Sequence, residues 1–188
     1  QLSHSKGKAS LDLNALAEHS ADLFCLSGCK KSEISAYLLA KNREKAIIAA
    51  RKYLEIFGRD NFWVELQNNL CPEDRELCEQ LLGLAKELEV GYVATNNVHY
   101  ARRENHRLQD VLVCIKNRTT LDESHHLRRP NSEYYLKSYR EMSHLFTECP
   151  EAISNTIRIA EACSVSLDFS SYRFPEFQTP EGETADSF

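Results

Sequence analysis

Two rhythms of apolar residues alternate along the first half of this chain. One has the spacing of helices and the other is a set of short continuous runs. From Asp12 to His19, Leu13, Leu16 and Ala17 share one helical face. The run Leu23-Phe24-Cys25-Leu26-Ser27 predicts a buried strand ended by Gly28. Ser32 is placed to cap a short helix that presents Ile34, Tyr37 and Leu38. Asn42 opens a longer helix, whose stripe is Ala46, Ala50, Tyr53, Leu54 and Phe57 and whose stop is Gly58. Asn61 to Leu66 has strand character. Pro72 then suits the first turn of a helix, with Glu73, Asp74 and Glu76 at its positive end and Leu77, Leu81, Leu84 and Leu88 on its buried side. Val90 to Ala94 predicts a third strand.

Strand, helix, strand, helix, strand is the order of parallel βα units joined by right-handed crossovers. The predicted fold class is therefore α/β, with a parallel sheet or barrel as the core of residues 20–100. Sites in such folds lie at the C-terminal ends of the strands. Three stretches qualify: Ser27-Gly28-Cys29, Glu65 to Asn69, and Asn96-Asn97-Val98-His99.

Beyond Tyr100 the pattern changes. Glu104 to Ile115 predicts a helix with Leu108, Val111, Leu112 and Ile115 turned inward. Residues 117–131 are polar and loop-like. Ser138 and Glu141 form a capping-box pattern ahead of Met142, Leu145 and Phe146. Pro150 opens a last helix with Ile153, Ile157 and Ala160 on one face. Strand-like residues from Ser164 give way to a Pro-containing extended connector over 171–188.

Composition narrows the function classes. The chain has 188 residues, 42% hydrophobic and 27% charged, close to an ordinary globular protein. Its net charge is -5, without the basic excess of a strong nucleic-acid binder. No apolar run is long enough for a transmembrane helix, and residues 1–6 lack the apolar stretch of a signal peptide. The seven cysteines are odd in number and several sit in helical patterns, which favours reduced thiols in a cytoplasmic setting. Cys25 and Cys29 have no second pair at zinc spacing. Cys71 and Cys78 most simply cap and pack a helix, and His125-His126 lies in the polar loop.

A series of blocks carries a resemblance: Leu26-Ser27-Gly28-Cys29, Glu65-Leu66-Gln67, Val93 to Tyr100, Leu121-Asp122-Glu123, Tyr135 to Ser138, Glu141-Met142, Leu145-Phe146, Pro150 to Ile153 and Ile159 to Cys163. In this order and spacing they resemble the amino-terminal region of bacterial DNA polymerase III alpha subunits of the DnaE type. That region is the PHP (polymerase and histidinol phosphatase) domain, running on toward the palm and thumb. The resemblance implies a later portion of a distorted TIM-like parallel βα barrel over 1–115, a helical connection over 116–170 and an extended tail over 171–188. The family's opening His-x-His is absent here, so the expectation is a fragment that lacks the start of the domain. The polymerase's catalytic carboxylates would lie beyond Phe188, and no residue here is expected to be catalytic.

The family's metal site binds Zn, Mn or Mg through His, Asp, Glu and sometimes Cys at strand ends. By position Cys29, Asn97 and His99 match its ligands, with Glu65 and Gln67 behind them. The i, i+2 spacing lets Asn97 and His99 face one side. Each has a plainer reading: core filler for Cys29, a structural histidine for His99, a hydrogen-bonding remnant for Asn97, a surface or lysine-paired carboxylate for Glu65. Where the family has Asp this chain has Asn97, as in the error-prone DnaE-like branch. A neutral amide cannot bridge two ions as a carboxylate does, so metal binding is expected to be weak or absent. The implied partners are DNA and deoxynucleotides (dNTP), through the parent polymerase, and other replisome subunits. The alternatives are a metal-dependent phosphoesterase or 3′–5′ exonuclease of the PHP family, and a protein-interaction module of the replisome.

Overall fold

The computed structural model describes residues 10–167 together with Ser170. The proposed tail over 171–188 lies outside the described residues. The elements run α1 (Leu13–Glu18), β1 (Cys25–Leu26), α2 (Glu33–Leu39), α3 (Arg43–Phe57), β2 (Phe62–Gln67), α4 (Asp74–Leu88), β3 (Gly91–Thr95), a 3-10 turn (Arg103–Asn105), α5 (His106–Asn117), α6 (Tyr139–Leu145) and α7 (Glu151–Ala162). The three strands form one parallel sheet in the order β1-β2-β3. This is the βα architecture that the alternating rhythms predict, and it matches part of a PHP-type barrel.

Local chemistry sets the helix starts. The side chains of Asp12, Ser32 and Asn42 each accept a backbone N–H of the first turn, at Ala15, Ser35 and Lys45. Ser138 and Glu141 close the capping box that opens α6. α4 begins at Asp74, so Pro72 sits just ahead of the helix rather than in its first turn. It ends at Glu89 in the left-handed conformation.

The two faces of the sheet differ. In β2, Phe62, Val64 and Leu66 are fully buried against α2, α3 and α4. They pack with Ile34, Leu38, Ala46, Ala50, Leu81 and Leu84. Phe146, Ala152 and Ile153 join the same core from beyond residue 115. The side chain of Asn155 in α7 donates to the Tyr92 carbonyl of β3 at 2.8 Å. The opposite face carries Trp63, Glu65 and Gln67, which lie beside Gly91, Val93 and Thr95 of β3. Gly91 is there for contact: a Cβ at that position would stand 2.4 Å from the Trp63 ring.

Several expectations change. The buried strand predicted over 23–27 is only the pair Cys25–Leu26, and Leu23 and Leu26 are exposed. Among the described residues β1 pairs with β2 alone, so its outer edge stays open. The α5 stripe is reversed. Leu108, Val111, Leu112 and Ile115 are exposed, and Asp110 and Cys114 are the buried positions. The polar side of α5 faces in because Asp110 pairs with Arg128 and the Cys114 thiol lies 3.1 Å from the Ser124 hydroxyl. In α7, Ile157 is exposed, and Ala152 and Ile153 make the contact. Residues 164–167 form no strand.

Candidate functional site

Because strand residues alternate faces, β2 sends Glu65 and Gln67 to the side away from the helical core. There they meet Thr95 at the end of β3. The Thr95 hydroxyl donates to Glu65 Oε1 at 2.5 Å, Gln67 Nε2 donates to the same oxygen at 2.9 Å, and Gln67 also reaches Thr95 Oγ1 at 3.1 Å. The Glu65 backbone N–H donates to Ser27 Oγ at 2.8 Å, which ties the end of β1 to β2. Neutral donors thus hold the Glu65 carboxylate, and no lysine pairs with it among the described residues.

A cavity of about 380 Å³ opens at these strand ends. Cys29, Glu65, Gln67, Asn97 and His99, all singled out from sequence, line it together. Lys30, Lys31, Asn69, Asp74, His126, Arg128, Arg129 and Tyr134 line it as well. His126 is therefore at the cavity wall, and its neighbour His125 takes the Arg128 guanidinium at 2.5 Å.

Long-range hydrogen bonds shape the wall. Asn69 donates to Asn96 Oδ1 at 2.7 Å and to the Glu133 carbonyl at 3.3 Å, and Asn96 donates to the Tyr135 carbonyl at 2.6 Å. The backbone N–H of His99 donates to the Tyr134 carbonyl at 2.7 Å. These bonds dock the segment 131–135 against the ends of β2 and β3. Asn96, rather than Asn97, therefore carries the structural hydrogen bonding, and Asn97 stands half-buried at the cavity. Asp74 is buried and accepts the backbone N–H groups of Asn69 and Cys71 at 2.8 and 3.2 Å. Lys30 reaches Asp74 at 2.9 Å and Glu73 at 2.8 Å. Burial pulls the Lys30 ammonium down, but the bonds to those two carboxylates win and hold it above its ordinary value.

His99 sits at the rim. Its Nε2 lies 2.6 Å from the Arg129 guanidinium, which is itself 5.1 Å over the Tyr134 ring. A guanidinium only donates, so Nε2 accepts and the ring proton belongs on Nδ1. Burial first, and then the Arg129 charge, hold the imidazole below its ordinary range. Both effects favour the neutral imidazole.

A divalent ion needs three or more converging donors. No group of three His, Cys, Asp or Glu side chains suited to a metal occurs among the described residues. The Nε2 of His99 is occupied by a cation, and the donor two residues before it is an amide. By themselves the described residues do not fit a resident metal.

Residues 1–69 match the PHP domain family. The chain is 38% identical over 183 residues to the DNA polymerase III alpha subunit of Thermus aquaticus, and 36% identical over 173 residues to that of Treponema pallidum. These alignments cover 94% and 92% of this chain. The chain carries PHP-domain sequence and is a relative of the bacterial DNA polymerase III alpha subunits. An error-prone DNA polymerase of Symbiobacterium thermophilum is 37% identical over 180 residues, 95% of the chain. Identity alone therefore does not separate the two kinds of polymerase. This alpha-subunit relative spans about 15% of the length of the curated proteins it matches.

Arg129, Asn69, Asn96 and Asp74 are not among the residues that the sequence assigns to a site. Asn69 and Asn96 fall within the strand-end stretches, so their neighbourhood was legible but their pairing was not. Arg129 belongs to the polar loop 117–131, and no spacing rule places that loop over the strand ends.

Proposed function

We propose that this chain supplies the PHP region of a DNA-directed DNA polymerase, a nucleotidyltransferase of the polymerase III alpha kind. The carrying observation is that similarity to alpha subunits runs through 92–95% of the chain, well past residue 69 where the PHP match ends. DNA, deoxynucleotides and other replisome subunits are engaged by the rest of the polypeptide. Residues 116–170 lead on toward the palm, and the net charge of -5 suits a segment that does not itself grip DNA. No helix among the described residues is long and apolar enough to cross a membrane.

Within that polymerase the strand-end cavity is a remnant without metal-dependent hydrolysis. Two observations support this reading: Asn97 in a ligand position and Arg129 on His99 Nε2. The test uses the full-length polypeptide. Primer extension is expected, together with less than one tightly held Zn, Mn or Mg ion per cavity and no exonuclease activity that responds to His99→Ala. Two or three bound ions, with a nuclease lost in His99→Ala, would show a working hydrolytic centre instead.

A further inference from the structure

We infer that the outer face of α5 is an intramolecular docking face, covered by an acid-rimmed amphipathic helix of the same polymerase polypeptide. This rests on the reading of the chain as part of a longer polymerase, and it adds a place where the remainder packs. The face is apolar and bare. Leu108, Val111, Leu112 and Ile115 are 58%, 40%, 51% and 69% exposed. Their spacing is i, i+3, i+4 and i+7, the row with which one helix enters a groove or packs along another. α5 is fixed by its opposite side. Asp110 and Cys114 are buried, Arg128 pairs with Asp110 at 3.4 Å, and the Cys114 thiol lies 3.1 Å from the Ser124 hydroxyl. These contacts hold the polar side in, so the helix does not roll to bury its own stripe. A contiguous exposed row of this kind marks a contact surface.

Charge selects the occupant. Arg107, Lys116 and Arg118 flank the stripe, and none of the three has a carboxylate partner among the described residues. Asp110 faces inward, and the next carboxylates along the chain, Glu104, Asp122 and Glu123, lie beyond the two ends of the helix. A second copy of this chain would bring two cationic rims together across a twofold axis, which opposes self-association. A helix with aliphatic anchors and Asp or Glu along its edges complements both the stripe and its rim. The parent polypeptide is the source of that helix. The chain spans about 15% of the length of its relatives, so in the polymerase reading most of the polypeptide lies outside it. A segment of the same polypeptide is present at high effective concentration, which lets a single helix face hold it.

The test uses the full-length polypeptide, with p-benzoylphenylalanine at position 112 in one form and Leu112→Cys in another. Photolysis is expected to join position 112 to a peptide of the same polypeptide, outside this chain, that carries Asp or Glu within a helical turn of the attachment point. The yield is expected to fall about threefold or more when Lys116→Glu and Arg118→Glu are combined, and to fall with rising salt. Maleimide is expected to label Leu112→Cys about tenfold or more slowly in the native polypeptide than in denaturant. Ile115→Cys serves as the second position should Leu112→Cys fail to fold by circular dichroism. Labelling that is as fast in the native state as in denaturant overturns the inference, as does an adduct of twice the polypeptide's mass. An adduct peptide without carboxylates, or a yield indifferent to charge reversal, overturns the chemistry assigned to the occupant. Co-sedimentation with phosphatidylserine vesicles that Leu112→Glu abolishes would assign the face to a bilayer and overturn the inference. Primer extension by the unaltered polypeptide tests the polymerase reading separately, so an exposed position 112 in an active polymerase removes the docking inference alone.

Discussion

Asp74 shows how one side chain decides a local structure. It is 2% exposed, it accepts two backbone N–H groups from the turn ahead of α4, and Lys30 lies 2.9 Å away. Asp74→Ala leaves two buried donors without their acceptor and Lys30 with Glu73 as its remaining carboxylate. The expected loss is about 2–4 kcal/mol in urea unfolding, with a smaller loss for Asp74→Asn. Lys137 gives a pH-dependent prediction. Its ammonium is 4.4 Å from the Tyr135 ring centroid and 3.4 Å from Glu133. Burial, and then the Arg103 charge, push its pKa down from 10.5 to about 8. In that window the unfolded chain holds the proton and the folded chain has released it. The contribution of Lys137 to stability therefore rises as pH goes from about 8 toward 10.5. Unfolding at several pH values should show this rise in the native chain and lose it in Lys137→Met. At this scale the sequence pattern marked the strand-end stretches that carry Cys29, Glu65, Gln67, Asn97 and His99, since strand ends are local properties, while the choice of these residues as site positions came from the family resemblance. It did not show that Glu65 binds Thr95, because those residues lie on different strands and meet only through the register of β2 with β3.

At the scale of elements, contact decides what periodicity leaves open. The Gly91 position sits against the face of Trp63 in the neighbouring strand, with room for a hydrogen only. Gly91→Ala is expected to cost about 1–3 kcal/mol by overpacking, and Trp63→Leu in the same chain should return part of it; thermal unfolding of the single and double variants checks both. The α5 stripe gives a sharper contrast. Leu112 and Ile115 are 51% and 69% exposed, whereas Leu84 of α4 is fully buried. Leu112→Glu and Ile115→Glu should each change the unfolding free energy of this chain by no more than about 0.5 kcal/mol, while Leu84→Ala should cost about 2–5 kcal/mol. A loss of that larger size in either α5 variant would show that the stripe is covered in solution. The helical period of α5 was plain in the sequence, but a moment gives a direction only relative to the helix itself. Asp110 and Cys114 set the direction through Arg128 and Ser124.

For the whole molecule, thiol chemistry reports on the packing. Cys163 is exposed, and Cys71 and Cys114 are buried. Burial also pushes the Cys78 thiol up to about 12, which leaves little thiolate at neutral pH. Iodoacetamide on the folded chain should label Cys163 first, with Cys71, Cys78 and Cys114 protected until denaturant is added, as read by peptide mass mapping. The sequence by itself determined the parallel order of the βα units and the end of the sheet where a site belongs. Both follow from side-chain periods of two and 3.6 residues, which are written along the chain. Only the tertiary structure decided what that end of the sheet presents. Arg129 reaches His99 across thirty positions, and Lys30 reaches Asp74 across forty-four. Which cations are paired with a carboxylate depends on distances between groups that no local pattern relates.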